Sequence, residues 1–175
     1  SELTGTGTTR TVTFTPAADF DGMATIKVAA LTFTDEIGND NNASEISELA
    51  VDTLSPSVTI TSDETTLAAG DNATVTFTFS EDPLASFTLA DITVLGGTLS
   101  DLSSEGTIRT ATFTPSTDTE AVASITVSGS NFVDAIGNPG TNGTTPTLTI
   151  DTKSASLTVT TLSAAENATS VATLV

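Results

Sequence analysis

Apolar residues and threonine alternate along much of this chain. In Ala73-Thr74-Val75-Thr76-Phe77-Thr78-Phe79, alanine, valine and phenylalanine fall on one side of an extended backbone and threonine on the other. The same period of two runs through Val12–Phe14, Ala24–Val28, Val58–Ile60, Ala111–Phe113, Ala123–Val127 and Leu148–Ile150. Each run predicts a strand with one buried and one wet face. Threonine suits the wet face, because its β-branch favours extended backbone while its hydroxyl reaches water. Turn-forming clusters such as Gly70-Asp71-Asn72 and Gly137-Asn138-Pro139-Gly140 separate the runs. No segment carries the spacing of an amphipathic helix, so the predicted class is all-β.

Sliding the chain against itself by 99 residues reveals a repeat. Arg10-Thr-Val-Thr-Phe-Thr-Pro16 falls on Arg109-Thr-Ala-Thr-Phe-Thr-Pro115, Asp35-Glu-Ile-Gly-Asn39 on Asp134-Ala-Ile-Gly-Asn138, and Asp52-Thr53 on Asp151-Thr152. From Ser1 to Thr53, 22 of 53 positions match without a gap. A period of this length indicates whole domains in tandem, since solenoid units are much shorter. The phase predicts three pieces. Residues 1–52 are the C-terminal half of one repeat, 53–152 a complete repeat, and 153–175 the first strands of a following domain. Seven antiparallel strands fit the complete unit: 57–61, 73–79, 86–89, 91–95, 108–114, 121–128 and 147–151. That number in about 100 residues predicts an immunoglobulin-like β-sandwich, although the Cys–Trp–Cys core of antibody domains is missing.

Composition narrows the functional classes. The 22 acids face only 4 bases, giving a formal charge of −18, and the chain has no histidine or cysteine. Disulfides, Cys–His or Ser–His catalytic pairs and the usual zinc or haem ligands are therefore absent. The charge opposes binding to nucleic acid or anionic lipid. No run is long and apolar enough to insert in a membrane, and the opening residues lack a signal-peptide pattern. The Thr-x-Thr runs read as sandwich surface, because ice-binding arrays need a short solenoid repeat. Arg10 and Arg109 are expected at strand edges near an acid. The sequons at Asn42, Asn72, Asn142 and Asn167 carry little weight in a chain with 39 threonines. The expectation is a non-enzyme.

One constellation has chemical content. In an immunoglobulin-like sandwich, the loops after the second and sixth strands lie at the end where the preceding domain enters. Here they read Ser80-Glu81-Asp82-Pro83 and Asp134-Ala-Ile-Gly-Asn138, and the incoming linker carries Asp52. Carboxylates crowded without bases repel each other, and calcium, which takes six to eight oxygen ligands, relieves that repulsion. The repeat adds Asp35, Asn39 and Asp151 as equivalents of Asp134, Asn138 and Asp52. Asp-x-x-Gly-Asn is also sound turn chemistry with no metal. On spacing alone both readings stand.

The combined motifs, Asp52-Thr-Leu-Ser-Pro56, Phe79-Ser-Glu-Asp-Pro83, Arg109–Pro115, Ala123–Val127, Phe132–Asn138 and Asp151-Thr152, resemble the bacterial immunoglobulin-like repeats of large surface adhesins of the biofilm-associated and RTX types. The resemblance covers about residues 1–152. It implies an extracellular, cell-surface spacer whose neighbouring repeats are stiffened by calcium at their junctions. Asp52, Glu81, Asp82, Asp134 and Asn138 would be the ligands. Within Leu162–Leu174, the Glu166-Asn167 pair instead resembles the opening of a bacterial cadherin-like repeat. The competing functions are a sugar- or protein-binding module and an accessory domain of an extracellular hydrolase; sugar binding is disfavoured by the lack of Trp and Tyr. Apolar faces at both ends, with Val12, Phe14, Ile26 and Val28 at one and Leu157, Val159, Val171 and Leu174 at the other, also predict fraying or head-to-tail association.

Overall fold

The computed structural model describes residues 3–145 and 147–157. Glu166 and the apolar positions Val159, Val171 and Leu174 lie outside them, as does nearly all of the domain expected at 153–175; residues 153–157 form no strand. Eleven strands are present among the described residues. They are β1 (Asp21–Ile26), β2 (Ser47–Asp52), β3 (Val58–Ser62), β4 (Thr66–Ala68), β5 (Ala73–Phe79), β6 (Ile92–Leu95), β7 (Gly97–Ser100), β8 (Ile108–Pro115), β9 (Glu120–Val127), β10 (Gly143–Thr144) and β11 (Leu148–Asp151). Helical structure there is limited to three-residue 3-10 turns.

Strands β3 to β11 make an immunoglobulin-like sandwich. One sheet runs β3-β5-β8-β7, antiparallel throughout. In the other, β9 pairs with β6 along one edge, and with β10 and then β11 along the opposite edge. Strand β11 also pairs with β4 in parallel. The alternation read from the sequence is the alternation of burial. Val75, Phe77 and Phe79 of β5 point inward, as do Ala111 and Phe113 of β8 and Ala123, Ile125 and Val127 of β9. Leu148 and Ile150 of β11 close the core from the second sheet.

Six of the seven expected strands occur within a residue or two of their predicted positions. Three short strands, β4, β7 and β10, add to them. The seventh, expected at Ser86–Leu89, is corrected: 3-10 turns occupy Leu84–Ser86 and Leu89–Asp91. The cause is Arg109. It stands at an inward position of β8 with only 1% of its surface exposed, instead of at the expected strand edge. Its guanidinium donates to the carbonyls of Leu84 (2.6 Å) and Phe87 (3.1 Å) and to Asp82 Oδ1 (3.1 Å), taking acceptors that a ladder would need. The Thr88 amide and hydroxyl both donate to Asp91 Oδ2, which closes the second turn.

Two aromatic residues anchor the loops that matter below. Phe87, from the loop after β5, packs edge-on against Phe79, with ring centroids 4.9 Å apart. Phe132, from the loop after β9, meets Phe79 at 5.3 Å. Ser86 Oγ then joins the two loops, donating to the Val133 carbonyl (3.0 Å) and accepting from the Val133 amide (3.1 Å). The loops are thus held by burial below and hydrogen bonds above.

Residues 3–52 form much less. The β1–β2 hairpin is their one two-stranded sheet, and Thr4 bridges Thr11. Val12–Phe14, expected as a strand, belongs to none. Its counterpart β8 is flanked by β5 and β7, and no such neighbours flank residues 9–16 among the described residues.

Candidate metal centre

Three segments distant in sequence meet at one end of the sandwich. Asp52 ends β2, Glu81 lies two residues after β5, and Asp134 opens the turn beyond β9. One carboxylate oxygen from each lies within 4.8 Å of the other two. Asp134 is buried, whereas Asp52 and Glu81 are half-buried. The segments are tied directly to each other. Asn138 Nδ2 donates to the Asp52 carbonyl (3.3 Å) and to Asp134 Oδ2 (2.8 Å), and the Thr141 amide donates to the Pro56 carbonyl (2.8 Å).

Asp134 is a turn residue and a site residue together. Its Oδ1 accepts the backbone amides of Ile136 (2.9 Å), Gly137 (2.7 Å) and Asn138 (2.9 Å). Gly137, at φ +106°, gives the turn a left-handed step that a β-carbon would strain. Burial opposes ionisation of Asp134, but the Asn138 side chain and these amides outweigh it and hold its pKa below the usual value. Glu81 is the opposite case. Burial first, then the charges of Asp52, Asp134 and Asp21, push its pKa up. The site contains a carboxylate that resists ionising beside another that ionises readily.

The other predicted ligands are placed elsewhere. Asp82 turns away from the triad: its Oδ1 accepts the Leu84 amide (2.9 Å) and pairs with Arg109, and these bonds lower its pKa against the opposing effect of burial. Asp35 and Asn39 repeat the Asp134–Asn138 turn, with Asp35 Oδ1 accepting from Ile37 and Asn39 and Asp35 Oδ2 from Asn39 Nδ2. That copy is exposed. Asp151 is exposed too, and caps the Lys153 amide (3.2 Å) as Asp52 caps Leu54 (3.0 Å). Asp21 was not anticipated. It stands opposite Asp52 in the β1–β2 register and adds to the field on Glu81. The same pairing recurs 99 residues on, where Glu120 stands opposite Asp151.

The donors fit a hard cation. Two oxygens on one calcium, each bound at about 2.3–2.6 Å, can be at most about 5.2 Å apart. The triad lies inside that limit. All three side-chain donors are carboxylates, and two are open enough to water for the shell to be completed by solvent.

A family model for the bacterial Ig-like domain matches residues 52–150, more than half of the chain. The chain belongs to this family. The match begins at Asp52 and ends in β11, so the family's unit takes in the linker carboxylate together with the whole sandwich. Bacterial Ig-like domains are commonly parts of extracellular or surface proteins, and are typically non-catalytic. No curated protein and no solved structure matches the chain. No helix among the described residues is long and apolar enough to cross a membrane.

Proposed function

We propose that this protein is a non-catalytic extender segment of a bacterial cell-surface adhesin, in which calcium at the junctions between Ig-like repeats turns a flexible string into a rod. The observation that carries the reading is the meeting of Asp52, Glu81 and Asp134. Asp52 belongs to the hairpin that enters the sandwich, and the other two belong to the sandwich itself. An ion held by all three fixes the angle between the two parts. Without it, three like charges push them apart. The rest of the surface accords with a spacer, being acidic and studded with threonine. The test is small-angle scattering on a chain of several repeats, with chelator and then with millimolar calcium. A longer, narrower particle in calcium is expected. Superimposable profiles, together with no heat of calcium binding by calorimetry, would reduce the triad to ordinary turn residues.

A further inference from the structure

The Asp134 turn carries an isoleucine that its own sandwich does not use. Ile136 is 71% exposed and has no place in the buried core, which Phe132 enters just ahead of the turn. The turn does not need the side chain either, because Asp134 Oδ1 holds the Ile136 amide and the two that follow. The side chain has a neighbour on the other side. Between the turn and the β1–β2 hairpin lies a cleft of about 240 Å³, whose lining includes Ile136 from the turn and Asp21, Met23, Ala50 and Asp52 from the hairpin.

These four hairpin residues share one face, since Asp21 pairs with Asp52 and Met23 with Ala50. It is the outer face of that sheet, opposite the side of Leu49 and Val51. The matching outer face of the sandwich, at Val122 and Thr149, is exposed as well, so a complete repeat leaves this face open to a neighbour. Both halves of the contact recur at the 99-residue spacing: the turn carries Ile37 in one copy and Ile136 in the other, and the outer face carries Met23 and then Val122. The peg is also stiff. Isoleucine is β-branched, its amide is pinned to Asp134 (2.9 Å), and Asn138 ties the same turn to the Asp52 carbonyl (3.3 Å).

We propose that Ile136 is the peg of a second contact at this junction, one that needs no metal: it seats in the cleft against Met23 and Ala50 and limits how far the hairpin swings from the sandwich. Met23 is 55% exposed and Ile136 more so, so the contact is partial, and a small closure of the cleft removes further apolar surface from water. The seat contains Asp52 itself. A hairpin held by the peg therefore keeps that carboxylate beside Glu81 and Asp134. Under the calcium reading, on which this one consequence rests, the ion meets a triad already assembled and binds more tightly for it.

The chain has no cysteine, so two can be introduced for spin labels, Ser47→Cys on the hairpin and Thr74→Cys on the sandwich, both at exposed positions. Pulsed electron resonance then reads the distance between them, first in chelator. Ile136→Ser and, separately, Met23→Ser should broaden the distance distribution, and Ile136→Leu should keep it narrow. Met23 lies outside the turn, so its variant carries the test if Ile136→Ser disturbs the turn itself. A wild type as broad as the serine variants in chelator would overturn the proposal, and so would serine variants as narrow as wild type. Calcium titration is the second arm: Ile136→Ser should weaken binding by about 3–10-fold, as expected when preorganisation is lost. Equal affinity in the two proteins would overturn the link between peg and triad. No calcium binding by the wild type would count against the calcium reading alone, because the distances in chelator do not depend on it.

Discussion

Replacing Glu81 with glutamine removes one charge from the triad while keeping the length and polarity of the side chain. Glu81 has two close like-charged neighbours, with oxygens within 4.8 Å, and a third in Asp21. A pair of unit charges at that separation repels by about 1 kcal/mol in water and about 3–4 kcal/mol at an effective dielectric of 20. Glu81 is half-buried and salt screens its outer side, so losing both close repulsions is worth about 1–2 kcal/mol. For a domain of about 100 residues this raises Tm by about 4–10 °C in chelator. Calcium should reverse the order. At 100 times its Kd an ion adds about 2.7 kcal/mol to the wild type, and E81Q has lost one of its charged ligands. The pH dependence gives a further check. The Glu81 pKa is raised in the folded state, by burial first and then by its acidic neighbours. Its contribution is therefore fully present below the unfolded value, about 4.3, and is lost as pH rises through the folded value. The stability gap between E81Q and wild type in chelator should open as pH climbs from about 4 towards neutrality. Thermal melts from pH 3.5 to 7.5, with chelator and with calcium, read all of this. An E81Q protein no more stable than wild type in chelator at pH 7, or a gap independent of pH, would refute the reasoning.

Two further substitutions separate the roles of neighbouring groups. Asp134→Ala strips the acceptor from three backbone amides and from Asn138 Nδ2, so it should cost about 2–4 kcal/mol in urea unfolding, in chelator as well as in calcium. A loss seen only in calcium would deny Asp134 its structural part. Arg109→Met leaves the Leu84 and Phe87 carbonyls and Asp82 without their donor; Asp82 is partly exposed, so the cost falls near the lower end for a broken buried pair, about 3 kcal/mol. Arg109→Lys should recover only part of it, since one ammonium cannot span the same three acceptors; full recovery, read as the urea midpoint, would show that the charge alone matters.

The long strands were legible because their signal is local. In β5, β8 and β9 from Ala123 onward every second residue is buried, and no distant contact alters that. The loop from Ser80 to Asp91 was not legible, for the opposite reason. Ser-Phe-Thr-Leu alternates like a strand, but a guanidinium more than 20 residues away takes its carbonyls. The same interaction decides between Glu81 and Asp82. As adjacent carboxylates in one loop they look equivalent, until Arg109 draws Asp82 aside and Glu81 alone faces Asp134. Strands β4 and β10, at three and two residues, are too short for any period to register. Asp21 was hidden because its position depends on hairpin register, which places it opposite Asp52.

The two copies of the Asp-x-x-Gly-Asn turn show what sets the triad apart from an ordinary turn. Asp35 and Asp134 make nearly the same hydrogen bonds, and the pKa of each is held below the usual value: Asp35 by the Asn39 amide and side chain, Asp134 by bonds that overcome its burial. The turn by itself is therefore self-sufficient, with an acceptor already satisfied by its own backbone. What distinguishes Asp134 is company: Glu81 comes from the same sandwich and Asp52 from the strand that precedes it. A sandwich taken from residue 54 onward keeps two of these carboxylates and loses the third. Asp151 at the far end repeats the position of Asp52, exposed and beside Glu120, with no Glu81 or Asp134 equivalent near it among the described residues. The described sandwich thus carries two of the triad's carboxylates at one end and a counterpart of Asp52 at the other. The complete triad forms only where the preceding strand meets the sandwich, so on the proposed calcium reading affinity and stiffness would be coupled there: the ion would need both parts, and would fix the angle between them.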